Sequence, residues 1–350
     1  MARASRLLLR TLVATVVGAL AFGTAPASAQ PAADVLLSGL SAPKPLTMGN
    51  DGNPVVGQGT FGPPGPILEY VLHGRQHRQT VEVFGSVSIV DIAQTPDGAW
   101  WAIGTDRRLY RAADGAVQVA LNIRTYQRTD PDPVDQDDFA AESNPYGLVA
   151  LPNDDVLFTD AANNDLVRVT PEGDATTVAR FDLQRISTSH LNGDFPPFLT
   201  AESVPTSVAI GPDGWAYVGE LKGFPFRPGT SHVWRVNPYD EDAWCSLRTP
   251  ESDCTVYAEG FTAIHDLAFN THNGFLYVYE LAAGGVLAYE EGFDTGDFPP
   301  AVLLKVKKYQ RTELAAGELS QPGDVAVAHD GTVYVTDHMF SDGRLLRVRG

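Results

Sequence analysis

The sequence is poor in the residues that carry the commonest chemistries. Cysteine occurs twice, methionine three times and histidine eight times in 350 residues, too few for a multi-zinc module or a disulfide-held scaffold. Basic residues are outnumbered, 25 Lys+Arg against 43 Asp+Glu, and a formal charge of -18 repels nucleic acid and anionic membrane surfaces. There is no nucleophile elbow, no H-E-x-x-H pair, no P-loop and no dinucleotide fingerprint opening a helix, so no nucleotide cofactor is expected. Turn chemistry is plentiful instead. With 33 Gly, 25 Pro and 43% apolar residues, the chain favours a large core of short strands over long helices.

The first 29 residues read as an address. Arg3, Arg6 and Arg10 precede an uncharged apolar stretch from Leu12 to Phe22, and Ala27-Ser28-Ala29 supplies a small-x-small cleavage site before Gln30. That is a secretory signal peptide, and its apolar run is too short for an ordinary membrane span. No cysteine follows the run to take a lipid and no second long apolar segment appears, so a secreted product is expected, with residues 30–350 as its single domain. In an oxidising compartment Cys245 and Cys254 are expected to pair. A zinc pair or a reactive thiol is the alternative, and neither has a histidine or lysine nearby to support it.

A repeat organises the remainder. Its unit is an apolar strand, a turn built on Pro-Asp-Gly, a second strand and then an acid. Val204 to Ile210, Pro212-Asp213-Gly214 and Ala216 to Glu220 form one copy; Gln321 to Val327, His329-Asp330-Gly331 and Val333 to Asp337 form another. Further copies run from Asn144 to Asp160 and from Asp266 to Glu280, and two degenerate ones use Pro96-Asp97-Gly98 and Asn50-Asp51-Gly52. Asp-Gly and Asn-Gly between apolar runs are hairpin signals.

Third and fourth strands follow each pair. Third strands are expected at 166–169, 233–236, 286–289 and 345–348, and fourth strands at 117–121, 176–180, 255–258 and 301–305. Six four-stranded antiparallel units make an all-β, six-bladed propeller. The sixth copy ends at Gly350 without a fourth strand, and Val35 to Leu40 resembles one. Closure of the ring by this N-terminal strand is therefore expected.

These units resemble the six-bladed propellers of the NHL and senescence-marker/gluconolactonase group, and the exported, all-propeller form resembles the ScyD/ScyE family over roughly residues 35–350. The resemblance implies a fold rather than a reaction, because propellers host unrelated functions. The related lactonases hold a divalent metal in the central channel with a Glu, an Asp and Asn residues; their ligand motifs are not matched here.

Topology says where a site would lie. First strands line the axis and lead to the short turns; second strands return to the opposite, long-loop face. The ends of the second strands, Gln58, Gly104, Asp160, Glu220, Glu280 and Asp337, and the starts of the first strands, Pro45, Asp91, Gly147, Ser207, Asp266 and Asp324, should converge on that face. Asp160, Glu220, Glu280, Asp337, Asp266 and Asp324 are the candidate ligands of one divalent cation, Ca²⁺ before others, since converging carboxylates repel unless something neutralises them. Caps, backbone N–H bonds or arginine partners are the structural alternative. A second acidic group, Asp130, Asp132, Asp135, Asp137, Asp138 and Glu142, has calcium-loop density without the EF-hand register. Gly193-Asp194-Phe195-Pro196-Pro197 recurs as Gly296-Asp297-Phe298-Pro299-Pro300, either anchoring a partner or packing over blade ends. His265 and His338, beside Asp266 and Asp337, are the only candidate acid/base pairs.

The functional expectation is an exported, monomeric binding or scaffold module for a small molecule or protein on the long-loop face. The alternative is a lactonase-like hydrolase in which a cation polarises the carbonyl.

Overall fold

Each Pro-Asp-Gly turn closes by the same local device. The turn Asp or Asn side chain reaches two residues ahead: Asp51 accepts from Asn53 N at 3.0 Å, Asp97 from Ala99 N at 2.9 Å, Asn273 from Phe275 N at 3.1 Å and Asp330 from Thr332 N at 2.8 Å. The following Gly98, Gly214 and Gly274 take φ of 90, 78 and 72°, where a Cβ would be strained. Such turns reverse the chain between a first strand and a second, and repetition of the pair builds blades.

The computed structural model describes residues 32–349 except 73–78, 82, 85, 86, 137, 138, 140 and 141; the expected signal segment lies outside the described residues. Six antiparallel four-stranded blades follow in chain order. Blade 1 is Leu46–Met48, Pro54–Val56, Ile67–Glu69 and Gln79–Val81. Blade 2 is Ile89–Gln94, Trp100–Gly104, Arg108–Ala113 and Ala116–Asn122. Blade 3 is Pro145–Ala150, Val156–Asp160, Asp165–Val169 and Ala175–Phe181, and blade 4 is Pro205–Ile210, Ala216–Glu220, Ser231–Val236 and Cys254–Phe261. Blade 5 is Ile264–Asn270, Phe275–Glu280, Val302–Lys307 and Gln310–Leu314. Blade 6 takes Val325–Val327, Val333–Asp337 and Asp342–Val348 from the C-terminus and Ala33–Ser41 from the N-terminus.

The first strands touch one another in a closed cycle from blade 1 to blade 6 and back. A separate apolar cluster fills each of the six blade interfaces. The sixth interface is the closure: Leu40 and Leu345 pack with Leu46 and Val56 of blade 1. Ala33 pairs with Val348 and Ser41 with Asp342, while Asp34 accepts from Arg347 at 2.9 Å. The N-terminal strand thus completes the last blade, as the missing fourth strand required.

Two features depart from the sequence expectation. Residues 286–289 are not the third strand of blade 5. They belong to helix α2 (Gly285–Thr295), whose buried residues Gly285, Val286, Tyr289 and Gly292 follow a helical stripe. Consequently 301–305 contributes to the third strand rather than the fourth. Between blades 2 and 3 stands a shorter helix, α1 (Ile123–Thr129), capped by Asn122, whose side chain accepts from Thr125 N at 3.0 Å.

The expected disulfide forms, and it staples an element that the repeat did not announce. Ala243–Cys245 adds to blade 3 as a fifth strand, parallel to Ala175–Phe181, and Cys245 is bonded to Cys254 at the head of the outer strand of blade 4. Because this bond closes a short loop at the periphery, replacing both cysteines by alanine should lower stability by only about 2–3 kcal/mol. A chemical-denaturation curve of the double variant that keeps one cooperative transition checks this.

Candidate functional site

The start of each first strand brings a side chain to the axis. In three blades it is an aspartate, and each reaches across to the next blade's backbone. Asp91 Oδ2 accepts from Leu148 N at 2.7 Å, Asp266 Oδ2 from Val325 N at 2.8 Å and Asp324 Oδ2 from Leu46 N at 3.2 Å. Gly147 and Ser207 hold the same place in blades 3 and 4. A Cβ on Gly147 would lie 2.9 Å from both Ser207 Cα and Thr206 O, so only glycine permits the close approach. These residues stitch the ring together before they do anything else.

One position earlier in the repeat stand Lys44, Tyr146, His265 and Gly323. Lys44 is 1% exposed; its Nζ donates to Asp324 Oδ1 at 3.0 Å and to Tyr146 O at 3.3 Å, and lies 4.4 Å from the Tyr146 ring centre. Burial alone would lower the lysine pKa, but Asp324 and Asp91 outweigh it and keep the ammonium charged. Burial, then the charge of Asp324, pushes Asp91 and Asp266 well above the usual carboxylate range, against the pull of Lys44. Asp324 is raised by burial as well, with Lys44 opposing. His265 packs edge-on to Tyr146 at 5.5 Å, and burial followed by Lys44 keeps it neutral. Three carboxylates therefore share one ammonium in a poorly solvated place.

An axial cavity of about 240 Å³ runs down from these acids. Its walls are the inner residues of the first strands, including Leu46, Met48, Leu148, Val208, Phe269 and Val325. Met48, Phe269 and Val327 stand near the short-turn ends of their strands, while buried Lys44 and Asp324 close the other end. The cavity thus extends toward the short turns and away from the long loops, where the sequence reading placed the site.

The acids ending the second strands are dispersed into separate networks. Asp160 accepts from Ser143 Oγ at 2.7 Å, Asn144 N at 2.6 Å and Gln127 Nε2 of α1 at 3.2 Å. Glu220 accepts from Lys222 Nζ at 2.6 Å, His232 N at 2.8 Å and Trp234 Nε1 at 3.1 Å. Although burial would raise it, Lys222 and His232 hold its pKa down to about 2. Asp337 is gripped through both oxygens by Arg344, and His338, turned to φ 58° just past the strand end, brings Nδ1 to 3.2 Å from the same carboxylate. Asp266 and Asp324 join Asp91 at the axis instead. Among the described residues no three His, Cys, Asp or Glu side chains stand close enough to hold one metal ion. The donors around Asp160, Glu220 and Asp337 are those of a cap or an ion pair.

Glu280 differs from the others. Its Oε1 accepts from Thr262 N at 2.8 Å, and burial raises its pKa to about 7 against the pull of that N–H and of Arg311. The folded chain therefore binds a proton that the unfolded chain releases between about 4.5 and about 7. The associated stability is full below that window and lost as pH rises through it. Glu280→Gln should stay level across this range and exceed the parent by on the order of 2–3 kcal/mol above pH 7, as urea titrations at several pH values would measure.

The second acidic group is structural where it is described. Asp130 pairs with Arg180 and Thr177, and Asp132 accepts from Asn164 Nδ2 at 2.9 Å and Val134 N at 2.8 Å; Asp137 and Asp138 lie outside the described residues. Of the two Phe-Pro-Pro segments, one packs: Phe298 sits 5.1 Å from the Tyr289 ring of α2, against Gly292. Its counterpart Phe195 is 42% exposed, beside Phe224. Lys44, Tyr146 and the buried Asp165 were missed. The first two were visible in principle, because aligning the repeat one residue before the acid column selects them.

No family model matches the chain, and no curated protein does either. Solved structures do. A putative gluconolactonase is similar at 11% identity, TM-score 0.55, covering 91% of this chain and 93% of its own. An aldose sugar dehydrogenase from Streptomyces coelicolor in its PQQ-bound form is similar at 13% identity, TM-score 0.53, covering 90% and 96%. A virginiamycin B lyase from Staphylococcus aureus bound to quinupristin is similar at 14% identity, TM-score 0.50, covering 90% and 98%. At these identities the likeness shows the propeller fold alone.

Proposed function

We propose that the protein is an exported binding module whose axial cavity takes a small aliphatic ammonium ion. The observation that carries this reading is the imbalance at the cavity's closed end, where Asp91, Asp266 and Asp324 face a single Lys44. Among the described residues these carboxylates form no group of three that could hold a metal ion, yet they line one end of a cavity with hydrocarbon walls. An ammonium group would donate its N–H bonds to their lone pairs there and lay its alkyl chain against Leu148, Val208 and Phe269. The volume is below the range usual for drug-sized ligands, which favours a compact one.

The hydrolase reading asks for open carboxylates around a Lewis acid. Asp160, Glu220 and Asp337 already accept several protein donors each, which supports binding over lactone hydrolysis. The neighbours include a lyase, a dehydrogenase and a putative gluconolactonase, so fold alone favours none of these activities.

Calorimetric titration of butylamine against butan-1-ol tests the proposal. The amine should bind in the millimolar-to-micromolar range, and the neutral alcohol at least about tenfold more weakly. A chelator should change nothing, and Asp266→Asn should weaken the amine. Equal affinity for the alcohol, or no amine binding, would overturn it.

A further inference from the structure

The long-loop face carries a second feature, outside the axial cavity. Loops joining second to third strands in blades 5, 6 and 1 meet through aromatic rings. Phe293 of α2 lies 4.9 Å from Phe298 and 5.2 Å from Phe340, and Phe340 lies 4.8 Å from Phe61. Beneath them Leu281, Val286, Tyr289 and Met339 form a small buried cluster. The rings at the ends of this ridge remain open to solvent, Phe293 57% and Phe61 47% exposed. Contiguous apolar surface rimmed by polar residues is a feature of interaction sites.

The exposed charges on α2 and just past it are of one sign. Glu290, Glu291 and Asp294 project from the C-terminal half of α2, and Asp297 follows its glycine cap; all four are exposed. Among the described residues no ion pair uses any of them. Among basic groups beside the long loops of blades 4 and 6, Lys222 pairs with Glu220 and Arg344 with Asp337, while Arg227 donates to Ser187 O and Ser189 Oγ. The last turn of α2 contains no basic residue. Acids at the carbonyl end of a helix oppose its dipole, so the segment is arranged against its own stability and is relieved by cations from outside.

We propose that this face docks a basic polypeptide segment of a partner protein, with an apolar side chain on the Phe293–Phe340–Phe61 ridge and arginine or lysine side chains against Glu290, Glu291 and Asp294. Aromatic anchors ringed by complementary charge are the usual energetic centre of such an interface, and the charges set its on-rate and salt dependence. A second copy would set acid against acid, and an anionic membrane surface would be repelled likewise.

A short synthetic peptide alternating arginine with leucine provides the probe, titrated by fluorescence anisotropy against the protein at several salt concentrations. The parent peptide should bind, and relatives with glutamine for arginine or serine for leucine should bind at least about tenfold more weakly. Phe293→Ala and, in the loop, Phe61→Ala should each weaken binding about five- to tenfold. The triple variant E290Q/E291Q/D294N should do the same and flatten the salt dependence. A control triple with the same change of charge, D114N/E172Q/D174N in the short turns of blades 2 and 3, should alter affinity less than about twofold. Absence of binding, an equal loss in the control triple, or insensitivity to both phenylalanine variants would overturn the proposal. Self-association lost in Phe293→Ala would also overturn it, assigning the ridge to a second copy.

Discussion

A chain lacking Ala33–Ser41 should fail to accumulate as a folded monomer. The deletion removes the outer strand of blade 6, the ladder from Ala33↔Val348 to Ser41↔Asp342, and the fully buried Leu40 from the interface with blade 1. Burial of each leucine-sized side chain is worth about 1.5–3 kcal/mol. Leu40 contributes that in full, and the partly buried Leu36 and Leu37 add a fraction each, so with the lost ladder the deletion removes a large share of the net stability of an ordinary domain, about 5–15 kcal/mol. The strand Asp342–Val348 would also become an unpaired edge, which templates aggregation. Size-exclusion chromatography and thermal melting are the measurements. A monomer melting with the parent would mean that ring closure contributes little.

The second large effect is expected at Lys44. Replacing it by methionine preserves much of the volume but leaves Asp91, Asp266 and Asp324 without their cation. Breaking a buried pair in this way costs about 3–5 kcal/mol at neutral pH. The sign of its pH dependence follows from the carboxylates. Their folded pKa values are already raised, and removing the ammonium raises them further, so the variant's folded state favours bound protons more strongly than the parent's. The deficit should therefore shrink in acid, where the aspartates are neutral, and grow as pH rises through their folded pKa values. Urea denaturation at several pH values measures it. A pH-independent deficit would indicate lost packing rather than uncompensated charge.

Much of the fold was legible because the repeat encodes local physics. In five of the turns an Asp or Asn accepts from the N–H two residues ahead and closes its own turn, and each missing or surplus strand had to be balanced around a ring. Blade 5 escaped because Val286-Leu287-Ala288-Tyr289 is apolar enough to pass for a strand, and its helical period appears only when Gly292 and Phe293 are read with it. The site was legible by position and not by partner. The repeat identifies a column of acids, but Asp160 is satisfied by Gln127 from a helix 33 residues earlier, and Asp324 by Lys44, 280 residues away in sequence. Which carboxylates are used up by the protein, and which face a cavity, depends on contacts that no spacing contains.

The proton balance of ligand binding tests the central claim most directly. Burial keeps protons on Asp91 and Asp266 to a higher pH than usual, and an entering ammonium ion should displace them. Butylamine binding measured by calorimetry across a pH series, in two buffers of different ionisation enthalpy, reads this exchange. The account predicts proton release to the buffer with the parent protein and weaker binding in Asp266→Asn. Binding without proton release, or binding equally strong in that variant, would contradict the axial carboxylates as the ligand site.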